Sequence, residues 1–146
     1  MYPFHPLTVH LPIGLLLGNA LLTLLYLRRG DRTFETSAFH CLWLGWLGTL
    51  LAIAAGSFDA ARQVLDPVNP RADALGWINA HALIGFVLLV IYWQAWQIRR
   101  RDPGVLDDPA RRRGYLARLA IGVGLLVLDG WMGGHLVYSL RLGMMP

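Results

Sequence analysis

Five histidines and two aspartates offer this sequence most of its chemistry: His5, His10, His40, His81, His135, Asp59 and Asp129. Histidine ligates metals and haem iron and titrates near neutral pH, and a neighbouring carboxylate can orient the ring or exchange a proton with it. Two of the histidines lie in matching surroundings. Val9-His10-Leu11-Pro12-Ile13-Gly14 and Ala80-His81-Ala82-Leu83-Ile84-Gly85 each place a glycine four residues after the histidine. On a helix that spacing puts the glycine on the histidine's own face. The match is short and fits a diverged duplication of a two-helix unit.

Other chemistries find no foothold. GxSxG, HExxH, Walker-type and GxGxxG patterns are all missing, which leaves hydrolytic and phosphate chemistry without support. Cys41 is the only cysteine and has no CxxC or CxxCH neighbour, so zinc-ribbon, thioredoxin-type and covalent c-type haem sites drop out.

The elements that must position these residues are membrane helices. At 146 residues, 55% hydrophobic and 15% charged, the chain is one domain (1–146) that water does not solvate well. Four apolar stretches, about 8–27, 38–58, 76–98 and 115–139, each reach the roughly 20 residues that cross a hydrocarbon core. The sequence pI of about 9.8 does not point to nucleic acid. All thirteen basic residues are arginines, and most cluster in two segments between apolar runs: Arg28, Arg29 and Arg32, then Arg99 to Arg101, Arg111 to Arg113 and Arg118. Basic loops of this kind stay on the cytoplasmic face. The segment 59–75 balances Arg62 and Arg71 against Asp59, Asp66 and Asp73, and belongs outside with both termini. The expected fold is therefore an all-α, up-down-up-down four-helix bundle, N-out and C-out. Asp66-Pro67-Val68-Asn69-Pro70 and Asp102-Pro103-Gly104 read as turns. Met1 to Pro6 contain no basic region or small-residue cleavage site, so no cleaved signal peptide is expected.

Topology sorts the candidate residues by depth. His10, His81 and His135 fall in one outer layer, with His5 and Asp59 at its edge, while His40 lies alone on the cytoplasmic side. Spans 1 and 3 are diagonal across a four-helix core, so His10 and His81 can approach one central ligand from opposite faces. Neutral imidazole is a good axial ligand for haem iron, and Gly14 and Gly85 would clear space for a porphyrin edge. A site for zinc, copper or iron made of His10, His81, His135, His5 and Asp59 is the metal alternative. Asp129 and His135 are six residues apart and do not share a helix face. Asp129 is expected to hydrogen-bond to Asn19 or a threonine across the bundle, or to handle protons. The tryptophans and tyrosines read as an aromatic belt, and the glycines of the spans as packing positions.

Phe4-His5-Pro6-Leu7-Thr8-Val9-His10-Leu11-Pro12-Ile13 resembles the "HPLxVHFPI" opening of the DUF2231 family of bacterial membrane proteins. Gly56-Ser57-Phe58-Asp59 resembles that family's Gly-x-x-Asp ending of the second helix, His81 fits its third-helix histidine, and Gly133-Gly134-His135-Leu136-Val137-Tyr138 resembles its "GGxLVY" ending. The resemblance spans essentially the whole chain and marks His5, His10, Asp59 and His81, but not His135, as family positions. It departs after Tyr138, where Ser139-Leu140-Arg141-Leu142-Gly143 stands in place of a His-Gly-Val-Gly-Val-like tail. The family implies a membrane fold and no assigned activity. Related domains joined to cytochrome c-like modules point to electron transfer by association.

The leading expectation is an electron-transfer subunit of the bacterial inner membrane, cytochrome b-like, holding haem b through His10 and His81 near the outer face. An accessory or scaffold subunit with structural histidines is the second, and a metal- or proton-handling protein the third. An electron-transfer or accessory subunit is expected ahead of a stand-alone enzyme. The expected partners are the lipid bilayer, a cytochrome c or other redox membrane complex, and a second copy of the chain, with no nucleic acid.

Overall fold

The computed structural model describes residues 4–68 and 70–143, so Met1 to Pro3 of the N-terminal reading and Asn69 of the outer turn lie outside the described residues. Four long helices follow one another: α1 (His5–Arg29), α2 (Arg32–Val64), α3 (Leu75–Arg101) and α4 (Arg112–Gly134). A 3-10 turn, Ala72–Ala74, leads into α3, and a five-residue π-helical turn, His135–Ser139, continues α4. All four helices are long and apolar enough to cross a membrane. The expected all-α, four-helix membrane bundle is what forms.

The helices outrun the apolar stretches, for local reasons. Pro6 sits in the first turn of α1, where a missing N–H does no harm, so α1 begins at His5 rather than at residue 8. Gly30 ends it in the left-handed conformation (φ 72°) and returns its N–H to Tyr26 O at 2.8 Å. Asp31 then caps α2, accepting from the Thr33 N–H at 2.8 Å. Only Gly30 and Asp31 separate the two helices, and the expected loop over 28–37 becomes helix. Arg28, Arg29 and Arg99 to Arg101 lie in last helical turns, where cations complement exposed carbonyls.

Packing runs around the bundle in chain order. α1 and α2 make the most extensive contact, α2–α3 and α3–α4 follow, and α1–α4 closes the ring loosely. Small residues set the closeness, as expected where helices associate in lipid. A Cβ added to Gly45 would lie 2.8 Å from Leu16 Cδ2, and one on Gly48 would lie 3.2 Å from Pro12 Cβ. The core runs through Leu16, Leu42, Leu88, Tyr92, Tyr115 and Leu126. Trp46 stacks on Trp96 inside the bundle (ring centroids 5.5 Å) and donates to Leu89 O at 3.1 Å, which draws it away from the expected belt.

The two ends differ in chemistry. The α1–α2 and α3–α4 connections share one end, which carries most of the arginines. There Arg99 is buried at 3% exposure, pairs with Glu35, and lies over the Phe39 and Tyr115 rings. It is an interior residue as well as part of the basic cluster. Asp107 accepts from the Tyr26 hydroxyl and, at 2.7 Å, from Arg32, tying the second loop to the first hairpin. The α2–α3 connection, the start of α1 and the end of α4 lie at the opposite end.

Two outcomes follow. Tyr92 has no room to give where Gly122 touches it, since an added Cβ would lie 2.7 Å from its Cζ. Gly122→Ala should therefore destabilise the detergent-solubilised protein by about 1–3 kcal/mol through overpacking. Gly124→Ala, with nothing within 4 Å, should change thermal unfolding little.

The second concerns acid. The Tyr26 hydrogen bond, and after it the one from Arg32, hold the Asp107 carboxyl below its ordinary value. A carboxyl depressed by folding contributes stability above its unfolded pKa of about 4, and the contribution vanishes as pH falls through the lower folded value. Unfolding followed from neutral pH to about pH 2 should thus be less acid-sensitive in Asp107→Asn than in the parent.

Candidate functional site

His5 opens α1, and its backbone N–H is one of the donors that a helix start leaves without an intrahelical partner. Asp59 of α2 supplies one: its Oδ2 accepts from the His5 N–H at 2.8 Å, which also sets a carboxylate at the positive end of the α1 dipole. The His5 ring turns into the same helix, with Nδ1 2.8 Å from the carbonyl oxygen of Ala52. A carbonyl only accepts, so Nδ1 carries the proton and, in the neutral ring, Nε2 keeps its lone pair. Gly56 completes the seat, since a Cβ there would lie 2.9 Å from His5 Nδ1. Ala52, Gly56 and Asp59 stand at i, i+4 and i+7, one face of α2.

His81 of α3 is seated by α4 in a parallel way. Its Nδ1 lies 2.7 Å from Asp129 Oδ1, and a Cβ on Gly133, one turn beyond Asp129, would lie 3.5 Å from its Cε1. At 2.7 Å the nitrogen and the carboxylate oxygen touch, but without the alignment of a hydrogen bond. The His5 and His81 rings meet edge to face, with centroids 5.8 Å apart and planes at 76°. Asp59, His5, His81 and Asp129 thus form a cluster with one member from each helix, Asp59 meeting His5 through the backbone N–H. Asp59 is 6% exposed, and its Oδ1 has no hydrogen-bond partner among the described residues.

The other expected residues are placed differently. His10 is exposed on the outside of the bundle. It precedes the buried Pro12 by two residues, about 200° around the helix, so the face that packs on α2 turns His10 outward. His10 and His81 are not brought together. Gly14, four residues on, is also on the outside with nothing within 4 Å, whereas a Cβ on Gly85 would rest 3.9 Å from Ile53. His135 joins an aromatic group, 4.5 Å from Trp77 and 6.0 Å from Trp131 by ring centroids. His40 is exposed, with Nδ1 2.8 Å from Thr36 O. Asp129 meets His81; Asn19, its expected partner, instead bonds Ala38 O and the Tyr115 hydroxyl, at 2.8 and 3.4 Å. No group of three or more His, Cys, Asp or Glu side chains converges on one metal position among the described residues.

The contact between His5 and His81, and that between His81 and Asp129, were missed from the residues alone. Two signals bear on them. Pro6 starts the helix early enough to carry His5 into the bundle end, and the Gly56-x-x-Asp59 and Asp129-x-x-x-Gly133 spacings mark faces with a carboxylate beside an empty position.

Gly56→Ala should displace the His5 ring from Ala52 and destabilise the protein by about 1–3 kcal/mol. Asp59→Ala, which removes a helix-start acceptor, should cost about 1 kcal/mol. Asp59→Asn, retaining an oxygen, should cost less than the alanine variant in the same thermal-unfolding assay.

No curated protein and no solved structure matches the chain. The family described as "Predicted membrane protein (DUF2231)" matches residues 1–146, its whole length. With four membrane-length helices and that match from end to end, the chain belongs to the DUF2231 family of multi-pass membrane proteins.

Proposed function

We propose that this protein is an electron-transfer subunit that binds haem b at the end of the bundle where α1 begins and α4 ends, with His5 and His81 as the ligand pair in place of His10 and His81. One observation carries the reading. Two half-buried imidazoles from the diagonal helices α1 and α3 meet, His5 Nδ1 donating to Ala52 O and His81 Nδ1 standing 2.7 Å from Asp129 Oδ1. Outer partners of this kind orient an imidazole and leave Nε2 to bind a metal. Haem, when bound, supplies one-electron chemistry. The chain's own groups hold two half-buried imidazoles side by side at one end of the bundle. By the positive-inside rule the arginine-rich end faces the cytoplasm, which turns the histidine end outward across a bacterial inner membrane.

A second reading has its own observation. The Asp59–His5–His81–Asp129 cluster draws one ionisable group from each helix, and Asp129 stands against His81 at 2.7 Å. Such a cluster suits a group that takes up and releases protons at the membrane end.

The test is an optical spectrum, oxidised and dithionite-reduced, of the detergent-purified protein from haem-replete cells, with haem quantified as the pyridine complex. The expected result is a low-spin b-type spectrum that His5→Ala and His81→Ala abolish and His10→Ala retains. Asp129→Asn should weaken haem retention about tenfold or more, as loss of an outer partner does at metal sites. A folded, colourless protein overturns the haem reading and turns attention to proton exchange at His81.

A further inference from the structure

At the arginine-rich end, a groove of about 220 Å³ between α3 and α4 is lined by Trp93, Gln94, Gln97, Ile98, Arg101 and Arg118. Gln94, Gln97, Ile98 and Arg101 stand at i, i+3, i+4 and i+7, one face of α3, and Arg118 meets them from α4. Arg118 Nε donates to Gln94 Oε1 at 3.1 Å and its Nη1 to Gly114 O at 2.8 Å, which fixes the guanidinium at the groove and leaves Nη2 outside both bonds. This arginine lies about 9 Å along α4 from the helix start at Arg112, deeper than a residue of the connecting loop. It is half-buried and Arg101 is exposed, so both are open to a molecule in the groove.

Neither arginine has a carboxylate. The acidic residues of this end are committed elsewhere: Asp31 to the Thr33 N–H, Glu35 to Arg99 and Arg32, Asp102 and Asp108 to Arg111, and Asp107 to Tyr26 and Arg32. Arg101 makes no hydrogen bond or ion pair among the described residues, and both acceptors of Arg118 are neutral. Two cations thus share one groove without a counter-ion, on helices of membrane length.

We propose that this groove holds the head group of an anionic phospholipid. The phosphodiester accepts from Arg101 and from Nη2 of Arg118, with the side-chain amide of Gln97 beside them as a neutral donor. The acyl chains descend past Trp93, which is 44% exposed, onto Val90 and Phe86, exposed on the same side of α3 toward the middle of the membrane. A zwitterionic head group would bring its own ammonium to a groove that already carries two positive charges. A free phosphate would gain nothing from the apolar strip below. Arg113, five residues before Arg118 and so about 140° around α4, lies outside the groove and serves as the control. This site is independent of the electron-transfer reading.

The test gives the full chain, delipidated in detergent, equimolar dioleoyl-phosphatidylglycerol and dioleoyl-phosphatidylcholine and reads the bound lipid by native mass spectrometry. A preference of about tenfold or more for phosphatidylglycerol is expected. It should fall about fivefold in each of Arg101→Gln and Arg118→Gln, as loss of one basic residue beside an anionic lipid does, and stay within about twofold of the parent in Arg113→Gln. Arg101 makes no internal contact, so Arg101→Gln reads the site even where Arg118→Gln, which also loses the Gln94 bond, unfolds. Equal uptake of the two lipids by the parent overturns the proposal. So does an equal loss of preference in Arg113→Gln and the two groove variants, which would reflect net charge alone. Displacement of the lipid by millimolar inorganic phosphate overturns it as well, since that marks a site for a small anion.

Discussion

The close seating of α1 on α2 is the contact on which the rest of this bundle is arranged. In hydrocarbon, helices gain little from burying one apolar side chain against another, and association depends on how near the backbones can come. Gly45 and Gly48 remove the side chains that would hold α1 away, and Leu16 and Pro12 occupy the space. The two-residue connection at Gly30 and Asp31 fixes the register of one helix along the other. Once register and separation are set, Tyr26 at one end of α1 reaches Asp107, and His5 at the other end reaches Ala52 and Asp59.

The same register separates two polar regions by an apolar middle. Toward the arginine-rich end lie Glu35, Arg99, Tyr115, Asn19 and Thr23; toward the other lie Asp59, His5, His81 and Asp129. Between them Leu16, Leu88 and Leu126 belong to the hydrophobic core. Each polar region draws side chains from several helices, so neither exists in any single hairpin. Among the described residues of these regions, Thr23 Oγ1, Asn19 Oδ1, Asp59 Oδ1, two nitrogens of Arg99 and the facing atoms His81 Nδ1 and Asp129 Oδ1 are buried without a hydrogen bond.

His5 illustrates how two structural needs of one residue fix the orientation of its ring. Its N–H needs an acceptor because it starts a helix, and its ring needs space because α2 is so near. Asp59 and Gly56 answer those two needs. The result is a ring of fixed orientation beside His81. His81 is held by a carboxylate instead of a carbonyl, which makes the two imidazoles electronically unequal.

The number and class of helices, their order, and the separation of an arginine-rich end from a histidine-bearing one were legible in the residues alone. These follow from hydrophobic length and charge position, properties that each segment carries alone. The residues also marked His5, Asp59 and His81 as positions of interest, and Asp129 as a polar residue that needs a partner. Which of them touch was decided by the tertiary structure. A helix's rotation about its axis and its register along a neighbour depend on side chains of another helix, such as Pro12 against Gly48. About 200° of rotation between Pro12 and His10 is enough to turn the expected ligand outward. The pairing of His81 with Asp129 and with His5 came from that packing, because no spacing within one segment encodes a contact made across three helices.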